Sequence, residues 1–312
     1  MAKYITIDGG TTNTRLSLVI DNVITDTVKY NIGALVGGDD KCAFKNTLKE
    51  GIGKLLERNS VRAEEICRIL ASGMITSEAG ICTLDHICTP CGIEEMSKNM
   101  YETVMPEISD IPFVFSRGVK TGSCELERLD VMRGEETELL GLSEKVEKNC
   151  LYVLPGSHSK LIYTDDSGRI ADISTALTGE LISAVSRNTI LKNSVSLNFA
   201  SLNEEYLKFG YAYAKKNGIT GAFFKVRVLD KFLHRSGDET YSFFIGSALQ
   251  SEIDNMIGSE AEKIIVGGKS ELRRPISILL SEYSDKEITE VEDDITGHAA
   301  TYGIIRLFEF KK

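Results

Sequence analysis

The chain has 312 residues, more than one hydrophobic core usually serves, so two lobes are expected. A hydrophobic share of 42% beside 26% charged residues is that of a folded protein and excludes a disordered chain. The net charge of −10 repels polyanions, which sets nucleic acid aside as a partner.

No apolar run is long enough to span a membrane, and Met1–Ile5 leads directly into strand-like sequence with no signal-peptide pattern. Seven cysteines (Cys42, Cys67, Cys82, Cys88, Cys91, Cys124, Cys150), odd in number and scattered, fit a reducing compartment better than a disulfide scaffold. A cytoplasmic protein with no membrane partner is the expectation.

In chain order, KYITID (3–8) alternates polar with apolar residues, breaks at Gly9-Gly10 and resumes at TRLSLVI (14–20), which predicts an opening hairpin. Helical spacing over 41–59 and a short apolar strand over 66–72 follow. The pattern then predicts a helix over 94–105, a strand at Pro112–Phe115 and a helix from Glu135 to Leu142. Residues 150–174 repeat the opening order of strand, small-residue turn, strand, turn and strand. Helical patterns cover 179–192, 203–216 and 241–257, and a strand at 263–266 ends at Gly267-Gly268. The fold class expected is α/β with two lobes, 1–148 and 149–312.

Chemistry concentrates at the turns. Asp8 ends a strand, and Gly9, Gly10, Thr11, Thr12 and Asn13 offer backbone N–H groups and hydroxyls suited to phosphate, with the carboxylate able to hold Mg²⁺. The same residues also make an ordinary hairpin turn. Pro155-Gly156-Ser157-His158-Ser159-Lys160 places a second small-residue turn between two strands, and two such turns suit a clamped nucleotide. His158 serves equally as a polar turn residue, and Lys160 reads as surface.

Between the turns, Arg133-Gly134-Glu135-Glu136 opens a helix with acids in its first turn, which can present a base or simply complement the helix dipole. Gly267 and Gly268 allow close approach to a flat ligand such as a nucleoside, and serve equally as a simple strand-to-helix turn. Cys88-Thr89-Pro90-Cys91 lacks a second ligand pair at zinc-site spacing and is read as incidental. No Gly-rich loop ending in Gly-Lys-Ser/Thr and no Ser-centred nucleophile elbow occurs, which removes P-loop and hydrolase readings.

The ordered set IDGGTTNTR (7–15), MRGEETELLG (132–141), LYVLPGSHSK (151–160), ALTGEL (176–181), FFIGSALQ (243–250) and IIVGG (264–268) resembles the 2-dehydro-3-deoxygalactonokinase family over nearly the whole chain. That resemblance implies the actin-like fold of sugar kinases, with two ribonuclease-H-like lobes and ATP in the cleft between them. It also implies transfer of the ATP γ-phosphoryl group to the 6-hydroxyl of 2-dehydro-3-deoxy-D-galactonate, with Mg²⁺ as companion. Gly134-Glu135-Glu136-Thr137 is similar to the station where glycerol-kinase-like relatives carry a Gly-Asp-Gln-Gln turn. Glu135 then becomes the base, with Glu136 as rival and Asp130 more distant. Gly9 departs from the family, whose members often carry a tryptophan there. The resemblance makes Gly73, Met74 and Ser77 a substrate loop, and Arg133 is the expected cation for the acceptor's carboxylate, with a surface role as the alternative.

Two other readings remain open from sequence: a kinase of another small sugar acid or polyol, and an actin- or chaperone-type nucleotide switch. A homodimer is a further expectation.

Overall fold

The computed structural model describes residues 2–34, 41–195, 201–268 and 271–310. The chain runs through β1 (Lys3–Gly9), β2 (Thr14–Ile20), β3 (Val23–Tyr30), α1 (Lys41–Arg58), β4 (Arg68–Gly73), β5 (Ile87–Cys88) and α2 (Ile93–Lys98). Next come β6 (Tyr101–Met105), β7 (Ser109–Phe115), β8 (Val119–Lys120), β9 (Val131–Met132) and α3 (Glu135–Gly141). Then follow β10 (Cys150–Leu154), β11 (Ser159–Thr164), β12 (Ile170–Ala176), α4 (Thr178–Asn188), α5 (Glu204–Asn217), α6 (Ile219–Lys231) and α7 (Gly237–Ile257). The last elements are β13 (Lys263–Val266), α8 (Arg273–Tyr283), β14 (Glu287–Glu290) and α9 (Asp293–Phe310).

Two compact units result, one comprising Met1–Lys148, Thr164–Ile173 and Asp294–Lys312, the other Asn149–Tyr163 and Ser174–Asp293. One boundary lies at the cut expected after residue 148, and Thr164–Ile173 and Asp294–Lys312 group with the first unit as well. The tip of the β11–β12 turn joins the first unit through an antiparallel bridge between Cys91 and Ile170. The terminal helix joins it too, since Gly303 on α9 meets the Thr137 carbonyl on α3. Such returns leave no trace in local periodicity.

The first unit holds a six-stranded sheet in the order β3-β2-β1-β4-β7-β6, and the second a five-stranded sheet in the order β12-β11-β10-β13-β14. Each opens with an antiparallel meander whose first strand then pairs in parallel with a later one, β1 with β4 and β10 with β13. Central strands are buried on both faces, Tyr4–Ile7 and Cys150–Leu154 without exception, as parallel neighbours under helical layers require. The edge strands β3 and β14 alternate towards solvent instead. A small third sheet, β5-β8-β9, leads into α3.

The first core gathers Ile5, Ile7, Leu16, Ile69 and Phe113 from the sheet with Phe44, Leu48, Ile52 and Leu55 from one face of α1. The second is built round α7, which is buried on all sides from Thr240 to Leu249 and therefore lacks the polar stripe of a surface helix.

Most expected elements are present, and one differs in kind. Helical spacing over 94–105 ends at Asn99, and Tyr101–Met105 forms an edge strand antiparallel to β7. Pairing along the sheet edge outweighs the local period, and Thr103 and Val104 favour the extended backbone. The helix expected over 179–192 stops at Asn188, where extended Thr189 caps a separate short turn by accepting from the Leu191 N–H. Among the described residues, no helix is long and apolar enough to cross a membrane.

Each unit contains a helix crossing made by two glycines that face backbone. A Cβ on Gly246 of α7 would land on the Leu207 carbonyl of α5, and one on Gly210 of α5 would land on the Phe243 carbonyl of α7. In the first unit, Gly303 of α9 meets the Thr137 carbonyl and Gly141 of α3 meets the Ala299 carbonyl. Gly221 on α6, by contrast, faces open space. Gly246→Ala and Gly303→Ala are expected to destabilise by about 1–3 kcal/mol or more, and Gly221→Ala to stabilise by about 0.5–1 kcal/mol. Urea unfolding of the three variants measures both directions.

Candidate active site

β1 ends at Asp8 and Gly9, whose register partners are Arg15 and Thr14 in β2 and Ser72 and Gly73 in β4. The pairing thus sets the first small-residue turn beside the start of the Gly73–Ser77 loop. Within the turn, the Gly10 N–H donates to the Asn13 carbonyl at 2.9 Å, and the Gly10 carbonyl accepts from the Ala34 N–H at 3.1 Å. Gly33 presses on this turn, since a Cβ there would lie 2.5 Å from the Gly10 carbonyl oxygen. Thr12 and Asn13 are exposed, Gly10 and Thr11 partly so, and Asp8 is half-buried.

The Gly73–Ser77 loop departs from β4 through Gly73 at φ +87°, a conformation that favours glycine. A Cβ on Gly73 would lie 2.5 Å from the Gly9 carbonyl oxygen, and one on Gly134, itself at φ +115°, would lie 3.1 Å from the Gly73 Cα. Three segments, each more than sixty residues from the next, therefore meet backbone to backbone at Gly9, Gly73 and Gly134. Ile75 and Thr76 are buried beneath the loop, which leaves Met74 and Ser77 partly exposed. Ser77 Oγ donates back to the Met74 carbonyl at 2.7 Å and closes the turn.

The two glutamates of the α3 turn differ sharply. Glu135 is half-exposed, and its Oε2 accepts from the Arg133 N–H at 2.9 Å. Glu136 is wholly buried, and its Oε2 accepts from the Gly134 N–H at 2.6 Å. Burial first, and the neighbouring Glu135 charge second, push the Glu136 carboxyl up to about 8. A side chain with no exposed surface cannot meet a substrate without moving, so Glu135 is the carboxylate that the turn presents. Asp130 is engaged locally, its Oδ1 accepting from the Val131 N–H at 2.7 Å.

Arg133, expected as the cation for the acceptor's carboxylate, bonds to groups of its own unit. Its Nη1 donates to the Thr76 carbonyl at 2.8 Å and to Thr76 Oγ1 at 2.6 Å, and its Nη2 donates to the Leu84 carbonyl at 2.9 Å. His86 Nε2 stands 3.1 Å from Nη2, and burial together with the charges of Arg133 and Lys120 pushes the imidazole down to about 4. It is therefore neutral at ordinary pH and can accept from the guanidinium. Arg133 is partly exposed, and both terminal nitrogens bond within the protein.

In the second unit, Pro155–His158 forms the corresponding turn. A Cβ on Gly179 would land on the Gly156 carbonyl, and the Glu180 N–H donates to the Ser157 carbonyl at 3.1 Å. The start of α4 thus braces this turn. Gly268, at φ +82°, lies against Pro155, and the Gly267 N–H donates to the Val153 carbonyl at 2.9 Å. Ser157 is exposed, and His158 Nε2 lies 3.1 Å from Glu180 Oε1. Lys160 is not a surface residue: it is buried, with Nζ donating to Thr175 Oγ1 at 2.7 Å. Buried Glu252 accepts from Thr178 Oγ1, at the start of α4, at 2.6 Å.

The expected residues thus fall into two groups, Asp8–Asn13 with Gly73–Ser77 and Arg133–Glu136 in one unit, and Gly156–His158 with Gly267–Gly268 in the other. Sequence reading missed Gly33, His86 and Leu84, whose partners are remote along the chain. A lone Gly33 after the opening hairpin was the faint signal for the first, and the other two gave none. Cys91 is buried, with its thiol pushed up to about 12, chiefly by burial, and Cys88 is exposed. Among the described residues no cluster of three His, Cys, Asp or Glu side chains could hold a metal ion.

The Rhizobium meliloti (strain 1021) protein named probable 2-dehydro-3-deoxygalactonokinase is 29% identical over 200 residues, 62% of this chain, and the match spans only 59% of that protein's length. A crystal structure of a candidate 2-dehydro-3-deoxygalactonokinase from Sinorhizobium meliloti superposes with a TM-score of 0.80 at 21% identity, covering 97% of this chain and 95% of that one. Xylulose kinase from Lactobacillus acidophilus shares the fold more distantly, at a TM-score of 0.53 and 11% identity over 99% of this chain and 90% of that one. The fold is therefore the mixed α/β fold of these kinases. The model of the 2-keto-3-deoxy-galactonokinase family matches residues 8–304. The chain belongs to that family.

Proposed function

We propose that this protein transfers the γ-phosphoryl group of ATP to the 6-hydroxyl of 2-dehydro-3-deoxy-D-galactonate, a cytoplasmic step of galactonate breakdown. The observation that carries the reading is the meeting of Gly9, Gly73 and Gly134, which gathers a phosphate-type turn, an acceptor loop and an accessible carboxylate at one point. Family membership supports the choice of sugar acid. The repeated strand order supports two ribonuclease-H-like lobes of the actin-like type.

In this reading Gly9, Gly10, Thr11, Thr12 and Asn13 hold the β- and γ-phosphates, and Gly156, Ser157 and His158 form a second phosphate turn. Gly267 and Gly268 take the adenosine side. Gly73, Met74 and Ser77 receive the acceptor. A half-buried single carboxylate beside a hydroxyl-rich turn fits Mg²⁺, which keeps several waters and takes further ligands from phosphate, so Asp8 is its proposed holder. When bound, the ion neutralises charge on the nucleotide's oxygens.

Phosphoryl transfer asks a protein mainly for positioning and charge neutralisation. The acceptor's hydroxyl oxygen forms the new bond to the γ-phosphorus as the bond to the β–γ bridging oxygen breaks and ADP departs. Glu135 accepts the hydroxyl proton. Glu136, held uncharged by burial, keeps the turn in shape by accepting from Gly134.

A coupled ADP-release assay with ATP, Mg²⁺ and the galactonate compound, run beside its gluconate epimer, glycerol and an acceptor-free blank, tests the reading. ADP release that depends on the galactonate compound, with a monophosphorylated product by mass spectrometry, is the expected result. Turnover on another acceptor alone changes the substrate, and silence with every acceptor overturns the kinase reading.

Glu135→Gln is expected to lower kcat by about 10²–10⁴-fold while ATP affinity holds. Glu136→Gln, which keeps the neutral shape, should leave kcat near its original value. The two variants separate the neighbours by steady-state kinetics.

Glu136 also gives a pH signature. Its carboxyl titrates near 8 in the fold against an ordinary 4.5, so between those values the folded state holds a proton that the unfolded chain releases. Its contribution to stability therefore falls as pH rises through that window, by up to about 1.4 kcal/mol per unit. Denaturant titrations from pH 5 to 8 should show this slope in the parent protein and lose it in Glu136→Gln.

A further inference from the structure

We infer that Arg133 is the positioning residue that ties the acceptor loop to the base-bearing turn, and that it does not receive the acceptor's carboxylate. This inference rests on the sugar-acid kinase reading and assigns one residue within it.

Arg133 grips both sides of the proposed reaction point. Its backbone N–H holds Glu135 Oε2 at 2.9 Å, and its side chain holds Thr76 through both the carbonyl, at 2.8 Å, and Oγ1, at 2.6 Å. Thr76 Oγ1 in turn donates to the Gly73 carbonyl at 3.0 Å, and Gly73 is the residue against which Gly134 packs. Glu135, Arg133, Thr76, Gly73 and Gly134 therefore close a ring of contacts around the point where acceptor and base must meet.

The remaining terminal nitrogen is occupied as well. Nη2 donates to the Leu84 carbonyl at 2.9 Å and faces His86 Nε2 at 3.1 Å. A guanidinium with three oxygen contacts and a neutral imidazole has spent the paired donors by which arginine grips a carboxylate. Thr76 has no exposed surface, so its bond to Arg133 can serve only the protein. Only the planar fork of arginine reaches these acceptors together, and a lysine ammonium at the same position keeps the charge without the geometry.

The experiment compares the unaltered protein, Arg133→Lys, Thr76→Val and the double variant on the galactonate compound and on its carboxamide, with ATP affinity and thermal unfolding measured alongside. Arg133→Lys is expected to lower kcat/KM for the acceptor by about 100-fold with ATP affinity unchanged, since a misplacement near 1 Å has that cost. The same fold-loss should appear on acid and carboxamide, and the double variant should be no worse than Arg133→Lys alone, because both break one connection. A loss confined to the acid, losses that multiply in the double variant, or unchanged kinetics would each overturn the inference. If Arg133→Lys does not fold, Thr76→Val alone carries the test, with an equal loss on acid and carboxamide expected and unchanged kcat/KM overturning it. Failure of the unaltered protein to phosphorylate any sugar acid would instead sink the kinase reading, so the two failures are distinguishable.

Discussion

Backbone meets backbone at Gly9, Gly73 and Gly134, and what the first unit presents around that point depends on there being no Cβ between them. A side chain on Gly73 would strike the Gly9 carbonyl, and one on Gly134 would strike Gly73, besides the strain of positive φ at both residues. The parallel register of β1 with β4 brings the first two glycines level, and the three-stranded sheet delivers the third through β9. The small-residue turn, the loop and the acidic turn are near one another because the sheet is built that way and because glycine lets it close.

Charge is sorted on the same scaffold. Adjacent glutamates share a helix start, yet one lies under the turn with no exposed surface and the other at its edge. Burying a carboxylate is costly unless it is neutralised, so Glu136 holds its proton, whereas Glu135 stays half-exposed at the edge of the turn. The second unit also buries an acid: Glu252 is bonded by Thr178 at the start of α4 and has its carboxyl raised by burial.

Likeness between the units extends to their topology. Both sheets begin with an antiparallel meander and continue in parallel from its first strand, and both units lock a pair of helices by reciprocal glycine contacts. At such crossings a single methyl group meets a carbonyl oxygen and has nowhere to go, because packed interiors hold few voids. Gly141 with Gly303 and Gly210 with Gly246 accordingly act as fixed points, whereas Gly221 faces open space and constrains nothing.

By itself the sequence determined the strand-turn-strand openings at residues 3–20 and 150–164, the helices read over 41–59, 203–216 and 241–257, and the small-residue turns, because periodicity and glycine placement are local. It also marked Asp8, Gly73, Glu135 and Gly156, through motifs carried in a family-like order. Only the tertiary structure decided that Tyr101–Met105 is an edge strand and that the terminal helix returns to the first unit. It alone separated Glu135 from Glu136, buried Lys160 and spent Arg133 on Thr76 and Leu84. Each of those outcomes turns on burial or on a partner far along the chain, and neither quantity is written in the spacing of neighbouring residues.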